Sequence, residues 1–141
     1  MTELDRLAIS AMRRSYGQNG LSEADLASDP HHQFHSWLAD AVANDFIIEA
    51  NAMVLSTSNQ NQPSSRTVLL KDFTAEGFAF FTNYESRKAK EISDNPNVSL
   101  LFPWYAMERQ VIATGLASKL SREASERYFA TRPWNSQIGA W

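Results

Sequence analysis

The pattern of this chain points to an α+β domain, mainly β, with antiparallel strands in a small barrel and helices at its edges. Three observations lead there. Apolar residues recur at helical spacing up to Phe46 and change to strand-like runs from Ala52 onward. Short apolar runs then follow at regular spacing, separated by turn-forming residues. The helical period returns only after Ser121.

Size and composition fit that reading. The 141 residues, 43% apolar and 21% charged, suit one soluble globular domain with a real core. A net charge of −3 lacks the basic surplus of a nucleic-acid binder. With no cysteine, disulfides, thiol catalysis and thiolate metal sites are excluded. No apolar run approaches the ~20 residues of a membrane span, and MTELDRLAISAMRRSYG lacks a signal-peptide core. The expectation is a cytoplasmic protein with no membrane partner and no nucleic-acid partner.

Taken in order, Leu4, Leu7, Ala8, Ala11 and Met12 predict an amphipathic helix over 3–16, with Gly17 as its C-cap. The pair Arg13-Arg14 then either favours the helix C-terminus through its dipole or forms an anion-contacting arm. Residues 17–30 read as a mobile linker, so residues 1–28 form a helix plus arm and residues 29–141 the barrel domain. Asp29-Pro30 predicts an N-cap and first turn, opening a second helix that runs to about residue 44. His31 and His35 lie one turn apart on it, but no further ligand is evident, so no metal site is expected.

Residues 53–57 and 65–71 predict a first hairpin around a polar turn at 58–63. Residues 72–77 read as a second turn, pairing 67–70 with a third strand over 78–82. A short polar helix follows over 85–93, ended by Asn95-Pro96, then a buried strand over 98–102. A long strand spans 108–120, with Gly115 as a candidate bulge. Ser121 caps a last helix that Arg132-Pro133 ends.

The chemistry concentrates in residues 66–90. Arg66, Lys71, Thr82, Ser86, Arg87 and Lys88 gather at the ends of its apolar runs. Such a set suits a phosphate-bearing ligand, because each oxyanion wants charged or N–H donors; a solvated surface hairpin is the plain alternative. Arg66 and Lys71 are five apart, which on a straight strand puts them on opposite faces. Either the strand bends or the two bind different groups. No Gly-rich phosphate loop, Ser/His/Asp set or paired carboxylates are present, so no general acid or base is identified. A reaction here requires a ligand that brings its own reactivity, as an organic cofactor does.

Seven ordered blocks carry a family resemblance: RRSYG, PSSRTVLLK, GFAFFTN, SRKAKEI, NPNVSLLFPW, ERQVIATG and YFATRPWNSQIGAW. The chain resembles the pyridoxamine/pyridoxine 5′-phosphate oxidases, FMN enzymes that make pyridoxal 5′-phosphate. The resemblance implies a split β-barrel and a homodimer with FMN between subunits. It implies FMN contacts at Arg66, Thr67, Val68, Leu69, Leu70, Lys71, Phe81, Thr82, Ser86, Arg87, Lys88 and Gln110. For the substrate it implies a covering arm of Arg13, Arg14, Ser15 and Tyr16, and a phosphate grip from Lys71, Tyr128, Arg132 and Ser136. The implied reaction is hydride transfer from substrate C4′ to flavin N5, with dioxygen as the final acceptor.

Some positions depart from the family. Phe81 stands where relatives often have Tyr, and Ser15 where an acidic residue is common. Relatives also continue past the Gly139-Ala140-Trp141 block with further FMN and substrate residues. The expectation is therefore a barrel short of its last strands, with weakened flavin binding and little turnover. A non-catalytic flavin-binding module and a structural dimer core are the alternatives.

Overall fold

The computed structural model describes residues 6–17 and 20–131, the side chains of Leu7, Tyr128 and Phe129 excepted. Helix α1 covers Arg6–Ala11 and α2 covers Pro30–Ala43. Strands β1 (Ala52–Asn59), β2 (Gln62–Leu69), β3 (Asp72–Thr74) and β4 (Gly77–Ala79) follow. Then come α3 (Arg87–Asp94), β5 (Asn97–Phe102), β6 (Val111–Leu116) and α4 (Arg122–Thr131). Among the described residues the main sheet is open and antiparallel, in the order β2-β1-β5-β6, with β3 and β4 as a separate pair.

The second helix forms as the sequence predicts. The Asp29 carboxylate accepts from the His32 backbone N–H at 3.0 Å, and Pro30 opens the first turn. Its buried Phe34 meets Phe73, Phe78, Phe102 and Trp104 with ring centroids 4.6–5.9 Å apart. That contact docks the helix on both sheets. Met53, Leu55 and Thr57 alternate inward along β1, as a half-buried strand requires. Serines cap the later helices: Ser86 accepts from Ala89 N–H at 3.3 Å and Ser121 from Ala124 N–H at 3.2 Å.

Five expectations need correction. The first helix ends at Ala11, not at residue 16, and 12–17 is irregular and exposed. Its described side chains are exposed, so no packing extends so short a helix. Strand β2 forms the expected hairpin with β1, from Ala52↔Leu69 to Asn59↔Gln62, but among the described residues its other edge does not pair with 78–82. Residues 72–79, read as a turn and strand, fold as their own hairpin, with Phe73 opposite Phe78. Asn51 ends the β2 ladder by taking both backbone groups of Leu70, at 2.8 and 2.9 Å. Finally, Gly115 makes no bulge: it sits opposite Val98 in unbroken register. Strand β6 is also shorter than 108–120, because Glu108 adopts a left-handed conformation (φ 55°) incompatible with extended chain.

Candidate functional site

The cationic and hydroxyl residues of 66–90 separate into two surroundings. Thr67, Val68, Leu69, Lys71, Phe81, Thr82 and Lys88 line one cleft of about 2070 Å³, bounded by the β3–β4 hairpin, α3, β5–β6 and α4. That exceeds the roughly 300–1,000 Å³ of an ordinary small-molecule pocket, so the cleft is a broad trough. Lys71 lies past the end of β2, its N–H donating to the Ala79 carbonyl at 2.9 Å. The strand thus stops between Arg66 and Lys71, and the two face different surroundings.

Arg66 belongs to a polar node beneath the sheet. The period of two along β2 sends Ser64 and Arg66 to the face that α3 covers. There Glu91, almost wholly buried, receives Thr57 Oγ1 at 2.5 Å, Ser64 Oγ at 2.8 Å and Arg66 Nη2 at 3.1 Å on one oxygen. Its other oxygen receives Arg87 Nε at 2.8 Å. The hydroxyls of Thr57 and Ser64, and after them Arg87, hold its carboxyl down at about 2, against 4.5 ordinarily. Arg66 also donates to the Leu55 carbonyl at 3.2 Å and to Thr57 Oγ1 at 2.8 Å. Arg87 borders a smaller polar pocket with Asn59, Gln62, Lys90 and Glu91. Ser86, capping α3, faces the Thr82 hydroxyl at 3.5 Å.

The remaining sequence-derived site residues lie elsewhere. Leu70 is a core residue, its side chain buried. Gln110 is exposed at the end of the sheet where β6 begins opposite Phe102, whereas the cleft takes the far half of β6. Gly17 N–H donates to Glu108 Oε2 at 3.2 Å, which brings the end of the Arg13, Arg14, Ser15 and Tyr16 segment toward Gln110. Tyr128 lies on α4, while Arg132 and Ser136 lie outside the described residues. Of the histidines, His31 packs on the Phe73 ring at 5.6 Å and His32 pairs with Asp29. The His32 backbone N–H, and then its ring, lower the Asp29 pKa.

Glu91, Thr57, Ser64 and Glu108 escaped sequence reasoning. One signal was available: Arg87 and Glu91 stand four apart on an expected helix, the spacing of an ion pair.

Comparison with known proteins places this architecture. The family profile described as pyridoxamine 5′-phosphate oxidase matches residues 39–141. A pyridoxine/pyridoxamine 5′-phosphate oxidase of Prochlorococcus marinus is 55% identical over 133 residues, covering 94% of this chain and 60% of the relative. The like-named protein of Streptomyces avermitilis is 51% identical over 136 residues, covering 94% and 61%. The chain thus spans about six-tenths of the length of these relatives. Among solved structures, PhzG from Burkholderia lata, in complex with tetrahydrophenazine-1-carboxylic acid, superposes with a TM-score of 0.74 at 25% identity. That match covers 82% of this chain and 58% of PhzG. A pyridoxamine 5′-phosphate oxidase-related, FMN binding protein of Nostoc punctiforme shares the fold, with a TM-score of 0.62, 18% identity and coverage of 82% and 64%. The mixed α+β architecture with its mainly antiparallel sheet is the split-barrel fold of these proteins, and the chain belongs to the pyridoxamine 5′-phosphate oxidase family.

Proposed function

We propose that this chain holds FMN and serves the oxidation of pyridoxamine or pyridoxine 5′-phosphate to pyridoxal 5′-phosphate, with dioxygen reduced to hydrogen peroxide. One observation carries the reading. Lys71, Lys88, Thr67 and Thr82 line the same cleft as Val68, Leu69 and Phe81. FMN has a dianionic phosphate and a flat, largely apolar ring system, and this donor set suits both halves. Arg66 and Arg87, with Ser86 at the start of α3, would add cationic and hydroxyl support at the phosphate end. Bound FMN would supply a two-electron acceptor that the side chains of this protein lack.

The chain's own share is binding and orientation. Lys71 would meet both cofactor and substrate. Arg13, Arg14, Ser15 and Tyr16 would cover the substrate, with Tyr128, Arg132 and Ser136 on its phosphate. In this division residues 1–28 act as the covering arm and residues 29–141 as the barrel. Gln110 lies at the start of β6, the edge strand opposite β2, whose Thr67, Val68 and Leu69 line the cleft. This separation across the sheet supports a homodimer in which one subunit's Gln110 serves its partner's cleft. The same separation favours a second reading, a flavin-binding module without turnover.

Titration of the purified chain with FMN, followed by anaerobic addition of pyridoxamine 5′-phosphate, tests the proposal. Flavin fluorescence is expected to quench on binding, and the flavin absorbance to bleach on substrate addition, with peroxide appearing once air is admitted. Binding without bleaching selects the module. No binding removes both readings.

A further inference from the structure

We infer that Glu91 is a positioning residue for phosphate recognition, one carboxylate that holds Arg66 and Arg87 in register at the phosphate end of the site. The inference rests on the FMN reading above and extends it to a residue that does not itself touch the ligand.

The geometry is that of a brace. Glu91 joins three elements: Thr57 on β1, Ser64 and Arg66 on β2, and Arg87 on its own helix α3. Side-chain exposure grades outward from 6% at Glu91 through 22% at Arg66 to 78% at Arg87. Among the described residues Arg87 meets Glu91 through Nε, and its exposure leaves the rest of the guanidinium near solvent. Lys88, the next residue on α3, lines the large cleft. Fixing α3 against β2 therefore also fixes where Lys88, Ser86 and Thr82 stand.

The charge balance supports the same role. Two guanidinium groups around one carboxylate leave an excess of +1, so the node remains attractive to a phosphate after Glu91 is paired. A buried carboxylate without the arginines would be costly, and arginines without it would lose their fixed geometry. Two effects of Glu91 thus oppose each other. As a counter-charge it weakens anion binding; as a brace it strengthens it. The inference states that the brace dominates.

The test compares FMN with riboflavin, which lacks the phosphate, by fluorescence titration of the wild-type chain and of Glu91→Gln. The near-isosteric amide keeps an acceptor for the hydroxyls and removes the charge that holds the arginines. FMN affinity is expected to fall about tenfold while riboflavin affinity changes less than about twofold. A general loss of fold would weaken both flavins alike, and thermal denaturation without flavin reads that separately. Unchanged or tighter FMN binding by Glu91→Gln overturns the inference, the tighter result marking Glu91 as a competing counter-charge. Should Glu91→Gln not fold, Ser64→Ala carries the test. It removes a donor to Glu91 that also accepts from Arg66 Nη2, loosening the brace while keeping both cationic charges, and an FMN-selective loss of about threefold is expected. Equal effects on the two flavins overturn the brace there too. If the wild-type chain binds riboflavin and FMN equally, or neither, the phosphate reading of the site falls and the inference with it.

Discussion

Glu91 is held by four side chains, and its ionisation is linked to folding. Its folded pKa is depressed to about 2 by hydrogen bonds from Thr57 and Ser64 and by Arg87, while the unfolded chain titrates near 4.5. A depressed carboxyl contributes stability that is fully present above the unfolded value. That contribution is lost as pH falls from about 4.5 through about 2. Urea midpoints of the wild-type chain should therefore decline across that window, and Glu91→Gln should lose this part of the decline. Equal acid profiles for the two proteins would remove Glu91 as the source.

The hairpin of β1 and β2 shows a local rule met at some cost. Its eight-residue ladder closes on Gln60 and Asn61, with φ of 51° and 63°. Both residues are left-handed, as a two-residue hairpin turn with the favoured twist requires. Asn tolerates that conformation; Gln does so less well. Replacing the pair by Asn-Gly should stabilise the chain by about 1 kcal/mol, read as a raised urea midpoint with an unchanged slope. A lowered midpoint would mean that Gln60 or Asn61 makes a contact the turn geometry does not require. The neighbouring hairpin of β3 and β4 depends less on its turn, because Phe73 and Phe78 both pack on Phe34.

Across the domain, the core runs along one face of the sheet, from Phe34 on α2 through Met53, Leu55 and Phe102 to Trp104, whose indole N–H donates to the Ala50 carbonyl at 3.0 Å. The site residues lie around that core in separate places: the cleft, the Glu91 node, and the end bearing Gln110 and Glu108. A homodimer that joins one chain's cleft to the other chain's Gln110 makes FMN binding and association linked equilibria. FMN should then raise the dimer fraction in sedimentation equilibrium, and dilution should weaken FMN binding. An association constant indifferent to FMN would confine the site to one chain.

Much of this was legible without a structure, where the cause is local. The Asp29-Pro30 helix start, the caps at Ser86 and Ser121 and the inward alternation of Met53, Leu55 and Thr57 depend on residues within a few positions. The seven blocks likewise carried the family. What periodicity cannot say is which element faces a given side. It showed Arg66 as a cation on a strand, but not that its guanidinium would meet a carboxylate 25 residues away. It gave β1 as a partner of β2, but not that β2 stops at Leu69 and, among the described residues, leaves its other edge unpaired with residues 78–82. Packing set that end, when Leu70 entered the core and Asn51 took its backbone groups. The basic run of residues 66–90 thus came from the sequence as one candidate phosphate site. Folding divided it, because β2 ends at Leu69: Arg66 stays on the strand under α3, while Lys71 lies past the strand end beside Ala79.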